Sequence, residues 1–355
     1  MMKAFLFLLL ISCARSVAAQ TAPAAHDLVE QGIKLYDAGQ YAEAEAKYKQ
    51  ALAIAPNDAL TLSELALTYN SMGRNKEAAG ICEQLVKADP NADQSVYVTY
   101  GNSLDALKKT KEAIHIYEDG LKHHPGSSEL HFNMGVAQAT SGQVPACIGS
   151  FQQAIALSPN HASSHMSLGV MQLANQSRIP GILSLGRFLV LEPGSARSAQ
   201  RLPMLDKAMS LGVTRTGEKS IAINISSSAL NGTNGKSDGP DNFGPAELLL
   251  SITRASTLDK GVPALSSLEQ FSQQFAALCK GLGELSSKQQ GFTWNYYVPY
   301  FVEMEKKGFV PAFTYLSHSS QTEVPAVQKW LAAHPNEVAV FQEWSKNYAW
   351  PKALK

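Results

Sequence analysis

The sequence predicts a mostly α-helical protein: a solenoid of paired helices followed by a smaller helical domain with one short strand. Three observations predict it. Pro56, Pro90, Pro125, Pro159 and Pro193 stand 34, 35, 34 and 34 residues apart, so residues 25–195 divide into five copies of one unit. Inside each copy, small and large residues recur at fixed offsets. After residue 211 the period stops, and 14 of the chain's 29 aromatic residues (13 Phe, 12 Tyr and 4 Trp) gather in 292–350.

The units are 25–58, 59–92, 94–127, 128–161 and 162–195. In the first, Leu28, Gln31, Gly32 and Leu35 fall at i, i+3, i+4 and i+7, one face of a helix. Gly39 breaks that helix near its end. Tyr41, Ala44, Tyr48, Ala51 and Leu52 then form a second amphipathic face, which Pro56 closes because proline cannot continue a helix. Position 8 of the units holds Gly32, Ala66, Gly101, Gly135 and Gly169. Position 20 holds Ala44, Ala78, Ala113, Cys147 and Gly181, and position 24 holds Tyr48, Cys82, Tyr117, Phe151 and Leu185. Small residues at 8 and 20 let the two helices approach, and the residue at 24 fills the space beyond. Pro145 and Pro180 sit at the start of second helices, where a missing N–H is harmless.

This spacing resembles the tetratricopeptide repeat, whose period is 34. One helix pair cannot bury its apolar face alone, and five stacked copies exceed the three that stability requires. The resemblance implies that first helices of successive repeats line a concave groove. Its position 5 falls on Val29, Val98, Phe132 and Met166, with Ser63 in the second unit. Its position 9 falls on Ile33, Leu67, Asn102, Val136 and Val170. Some family members hold a peptide carboxylate with Lys and Asn at these positions; only Asn102 matches, so that clamp is not expected. The implied partner is a protein or peptide presenting an apolar or amphipathic segment. The competing expectation is that the chain's own C-terminal half fills the groove.

Residues 196–217 read as a capping helix, with Arg197, Arg201 and Lys207 beside Leu202, Leu205 and Met209. Pro203 is expected to kink or divide it. In 218–244, Ile221, Ile223 and Ile225 alternate as in a short strand, and a Gly/Asn/Ser-rich loop follows. Gly235-Lys236-Ser237 ends like a phosphate-binding loop, but Leu230 stands where the leading glycine belongs. Residues 245–355 read as an aromatic-rich helical domain. Pro245, Pro263 and Pro335 stand at helix starts, and Leu268, Phe271, Phe275 and Leu278 share one face. Phe341, Trp344 and Tyr348 mark another. These rings form either a compact core or a stacking platform. A glycan- or small-ligand-binding protein is therefore the alternative function.

The chain is 45% hydrophobic and 17% charged with zero formal net charge, which offers no surplus for nucleic acid and no basic cluster for an anionic membrane. Residues 1–19 read as a signal peptide. Lys3 precedes the apolar run Ala4–Ile11, and Val17-Ala18-Ala19 favours cleavage before Gln20, with 20–24 as linker. Leu10-Ile11-Ser12-Cys13 also resembles a lipobox, so a lipoprotein acylated on Cys13 is the alternative. Either reading places the protein outside the cytoplasm, in a bacterial periplasm or secreted.

Cys82, Cys147 and Cys279 are no disulfide framework. His161 and His165 have metal-compatible i, i+4 spacing but no third ligand nearby in sequence. His318 beside Ser319 and Ser320 has no acidic partner recognisable in the sequence. Catalytic residues, metal sites and cofactors are accordingly not expected.

Overall fold

The protein is described from a computed structural model covering residues 24–217, 220–224, 241–257, 265–286 and 289–351. The signal segment with Cys13, Ile225, residues 231–240 of the loop and Pro263 lie outside the described residues. The chain divides into two compact units, Met1–Gln143 and Val144–Lys355, with the boundary inside the fourth repeat.

The first unit consists of paired antiparallel helices: α1 (24–37) with α2 (Tyr41–Ile54), α3 (Ala59–Ser71) with α4 (Asn75–Ala88), and α5 (Gln94–Ala106) with α6 (Thr110–His123). Helix α7 (Ser128–Thr140) follows as the first helix of the fourth repeat. Each second helix stops two residues before its repeat's proline. Side chains of Asp58, Asp93 and Ser127 cap α3, α5 and α7 by accepting backbone N–H bonds.

The turn inside each repeat is one backbone device. The residue at position 15 takes the left-handed conformation: Gly39, Gly73, Lys108, Gly142 and Gln176, with φ between 61° and 76°. The next N–H then reaches back five residues, as in Lys109 N–H to Leu104 O at 2.9 Å. Three of these five positions hold glycine, and two hold residues with a Cβ.

Helix approach follows the offsets. A Cβ on Gly32 would meet the Tyr48 ring at 2.4 Å, and one on Gly101 the Tyr117 ring at 2.3 Å. In the second repeat position 8 is Ala66 and position 24 shrinks to Cys82; both are fully buried in one cluster. The extra methyl and the smaller partner compensate. Ala44, Ala78 and Ala113 at position 20 are likewise fully buried.

The second unit opens with α8 (Val144–Leu157), α9 (Ala162–Ala174) and α10 (Arg178–Leu191). Helix α11 (Ala196–Ser210) runs unbroken through Pro203, where the sequence suggests a kink or break. Val213–Arg215 (β1) and Ile221–Ile223 (β2) pair antiparallel, Val213 opposite Ile223. The single expected strand is thus a two-stranded hairpin. Then come α12 (Gly244–Thr257), α13 (Ser267–Leu285), α14 (Phe292–Lys306), α15 (Val310–Ser317), α16 (Pro325–Ala333) and α17 (Pro335–Lys346). Gly308, at φ 73°, joins α14 to α15 with the same left-handed turn, closed by Phe309 N–H to Met304 O.

Helix α10 organises this unit. From Arg178 to Val190 every residue is buried, so it has no polar outer face. Helices α12, α14 and α15 pack on it. Gly186 lets the Phe313 and Phe301 rings come within 3.3 and 3.4 Å of where a Cβ would stand. Arg187 is fully buried. Its guanidinium donates to Ser345 Oγ (2.5 Å), Asn160 Oδ1 (2.8 Å) and Tyr300 Oη (3.2 Å), and lies 5.1 and 5.0 Å from the Tyr300 and Trp350 ring centres. Neutral acceptors and ring faces thus hold this cation.

The aromatic residues pack against one another. Tyr300 stacks on both Trp344 and Trp350, and Tyr296 on Trp350. Tyr296, Tyr297, Tyr300, Phe301 and Phe313 are 1% exposed or less. They form a core.

Candidate partner-binding site

In the first unit α3 packs on α5 and α5 on α7, whereas the second helices of successive repeats approach one another less closely. The first helices therefore form the inner row. Seven of the nine candidate groove residues lie on it. Val136 on α7 is 39% exposed. Ile33, Leu67 and Phe132 are half-buried. Val29 and Val98, at 4% and 6% exposure, belong to the hydrophobic core and present almost no surface. Asn102 is engaged internally: it accepts a hydrogen bond from Tyr117 Oη at 2.7 Å. The position-24 tyrosine that closes over Gly101 thus also holds the one asparagine that matches the clamp.

The same wall carries acids that a reading of positions 5 and 9 misses. Glu64, at position 6, is half-buried, and burial followed by the charge of Asp37 at position 13 holds its carboxyl above the ordinary range. The two acids stand on different helices, α3 and α1, so no spacing along one helix announces their approach.

In the second unit Met166 and Val170 lie on α9, both half-buried. The C-terminal helices pack mainly on α10, not α9. Val170 lines a cavity of about 560 Å³ with Leu173, Arg178, Met204, Lys207 and Leu211.

The three candidate histidines, His161, His165 and His318, make hydrogen bonds within the fold. His165 is fully buried; its Nε2–H donates to Pro159 O at 2.9 Å, and its Nδ1 accepts from Tyr297 Oη at 2.6 Å. Burial first, then the nearby Arg187 charge, push its pKa down to about 3. His161 pairs instead with Ser164 Oγ. Among the described residues no group of three or more His, Cys, Asp or Glu is placed to hold a metal ion. His318 does have an acidic neighbour that the sequence conceals, Asp206, whose Oδ1 is 3.2 Å from Nε2. Its Nδ1–H donates to the Thr314 carbonyl at 2.7 Å. Nδ1 also lies 3.1 Å from Ser317 Oγ, but that hydroxyl is fully buried and donates to the Thr314 carbonyl, so it is not presented to a substrate as a triad nucleophile must be. Among the described residues no helix is long and apolar enough to cross a membrane.

Residues 35–97 match the family model described as tetratricopeptide repeat. The Hsp70-Hsp90 organizing protein 1 of Glycine max is 30% identical over 101 residues, 28% of this chain and 18% of that protein. The human protein O-mannosyl-transferase TMTC1 is 33% identical over 196 residues, 54% of this chain and 22% of that protein. The chain thus spans about a fifth of the length of these curated relatives. Among solved structures, TTC0263, a thermophilic TPR protein of Thermus thermophilus, aligns over 51% of this chain and 98% of its own, at 21% identity and a TM-score of 0.45. Pseudomonas aeruginosa pilF aligns over 54% and 90%, at 17% identity and a TM-score of 0.44.

Proposed function

Since the chain carries tetratricopeptide repeats, we propose that it is an exported scaffold whose row of first helices holds an apolar or amphipathic segment of a partner protein. Its role on this reading is assembly or organisation in a bacterial cell envelope, without chemistry of its own. The supporting observation is the exposed Val136 one turn from Phe132 on α7, in line with half-buried Leu67 and Ile33. An apolar strip on an inner helix row suits side-chain burial by a laid-in segment. Asp37 and Glu64 on the same row favour a segment that also carries a basic residue, because a cation relieves their mutual repulsion. Similarity to an Hsp70-Hsp90 organizing protein agrees with protein binding. Export rests on Lys3, the apolar run Ala4–Ile11 and the small residues before Gln20.

The test is affinity capture of the tagged mature protein from its own periplasm and membranes, run beside the variant Phe132→Glu with Val136→Lys. Partner recovery should fall at least tenfold in the variant while its thermal unfolding stays within a few degrees. Equal recovery refutes the groove. The mass of the mature N-terminus distinguishes cleavage before Gln20 from acylated Cys13, and an intact Met1 refutes export.

A further inference from the structure

We propose that the cavity between α9, α11 and the β-hairpin is a binding site for a single-chain amphiphile with an anionic head, a medium-chain carboxylate being the simplest. The proposal goes beyond protein capture and rests on different residues. At about 560 Å³ the cavity has the size of a small-molecule site. Its wall is apolar where Val170 and Leu173 of α9 face Met204 and Leu211 at α11. Such a surface gains by accepting an alkyl chain.

Three charges border it: Arg178, Lys207 and Glu247. The formal sum is +2 − 1 = +1, which suits one monoanion. Arg178 is 7% exposed and donates to Ala208 O (2.7 Å), Met209 O (3.2 Å) and Ser251 Oγ (3.2 Å). Among the described residues these bonds engage three of the five N–H groups of a guanidinium. Burial pulls the Arg178 pKa below its ordinary value, with Glu247 opposing, and a carboxylate in the cavity would add a counter-charge beside this buried cation. Lys207 is exposed at the rim and can follow a head group. A cationic or neutral amphiphile of equal length fills the same apolar wall but gains nothing from Arg178 and Lys207. The selectivity is thus carried by the head and the affinity by the chain.

The experiment is calorimetric titration of the full-length mature protein with decanoate, decan-1-ol and decyltrimethylammonium, all below their aggregation concentrations. Decanoate should bind at one site, at least tenfold tighter than decyltrimethylammonium. Lys207→Glu, on an exposed side chain, should erase that preference while leaving decanol binding within twofold. Met204→Trp should narrow the cavity and weaken binding of all three at least tenfold, with far-UV circular dichroism and thermal unfolding confirming a folded chain. Absence of decanoate binding to the folded protein, equal affinity for the two charged heads, or decanoate binding unchanged in Met204→Trp would each overturn the site.

Discussion

Two of the five left-handed turn positions hold residues that resist that conformation. An L-residue there costs about 1–2 kcal/mol relative to right-handed backbone. Gly39, Gly73 and Gly142 avoid the cost, whereas Lys108 and Gln176 bear it at φ 64° and 61°. Lys108→Gly should therefore stabilise the first unit by about 0.5–1 kcal/mol, the gain being reduced by glycine's greater freedom in the unfolded chain. A higher urea midpoint at unchanged slope is the expected result. His165 sets a second residue-scale expectation. Its folded pKa, about 3, lies below its ordinary 6.5, so the unfolded chain binds more protons between these values. The neutral buried ring contributes its full stability above pH 6.5, and that contribution is lost as pH falls through about 3. His165→Asn removes the linkage while keeping a donor and an acceptor. Its stability between pH 6.5 and 4 should fall less steeply than that of the parent chain, measured by urea unfolding at a series of pH values.

At the scale of the helix pair, positions 8 and 24 behave as one volume shared by two side chains. Gly101→Ala places a methyl 2.3 Å from the Tyr117 ring and should cost about 1–3 kcal/mol through overpacking. Adding Tyr117→Cys reproduces the Ala66/Cys82 pair of the second repeat and should restore part of the loss. It also removes the bond to Asn102, so restoration will be incomplete. A double-mutant cycle by chemical unfolding reads the coupling, and strict additivity would show that the two positions share no volume. This pairing is why the array is legible from sequence: one offset carries a small residue, another the ring that covers it, and the spacing repeats. The position-15 turn is less legible because lysine and glutamine do not announce left-handed backbone. The Tyr117–Asn102 bond and the Glu64–Asp37 approach are not legible at all. Each depends on two side chains meeting across helices, which periodicity along one chain does not encode. Asp206 meets His318 from 112 residues away, and Arg187 meets Ser345 from 158, for the same reason.

At the scale of the molecule, the fifth repeat differs from the others in a way that its sequence carries but the repeat pattern hides. Positions 22, 25 and 29 form the outer face of each second helix. They hold Gly80, Glu83 and Lys87 in the second repeat, and His115, Glu118 and Lys122 in the third. Glu83 and Lys87 form an i, i+4 ion pair at 2.6 Å on that face. In the fifth repeat the same positions hold Leu183, Gly186 and Val190, all buried. A helix with apolar residues on its outer face must be covered there, and α12, α14 and α15 pack on α10. A fragment ending at residue 211 therefore bares this face. We expect fragment 20–211 to aggregate in size-exclusion chromatography. If the bared face of α10 is the cause, Gly186→Glu with Val190→Lys, which copies the second repeat, should return the fragment to a monomer. Phe132→Glu with Val136→Lys, on the inner row, should leave it aggregated. The reverse pattern would mean that the C-terminal half normally shields the groove itself. In the full-length chain the α10 pair should have the opposite effect, because a Glu at 186 meets the Phe313 and Phe301 rings and displaces the helices that cover α10. Limited proteolysis of that variant should cut within 245–351 while the parent chain resists.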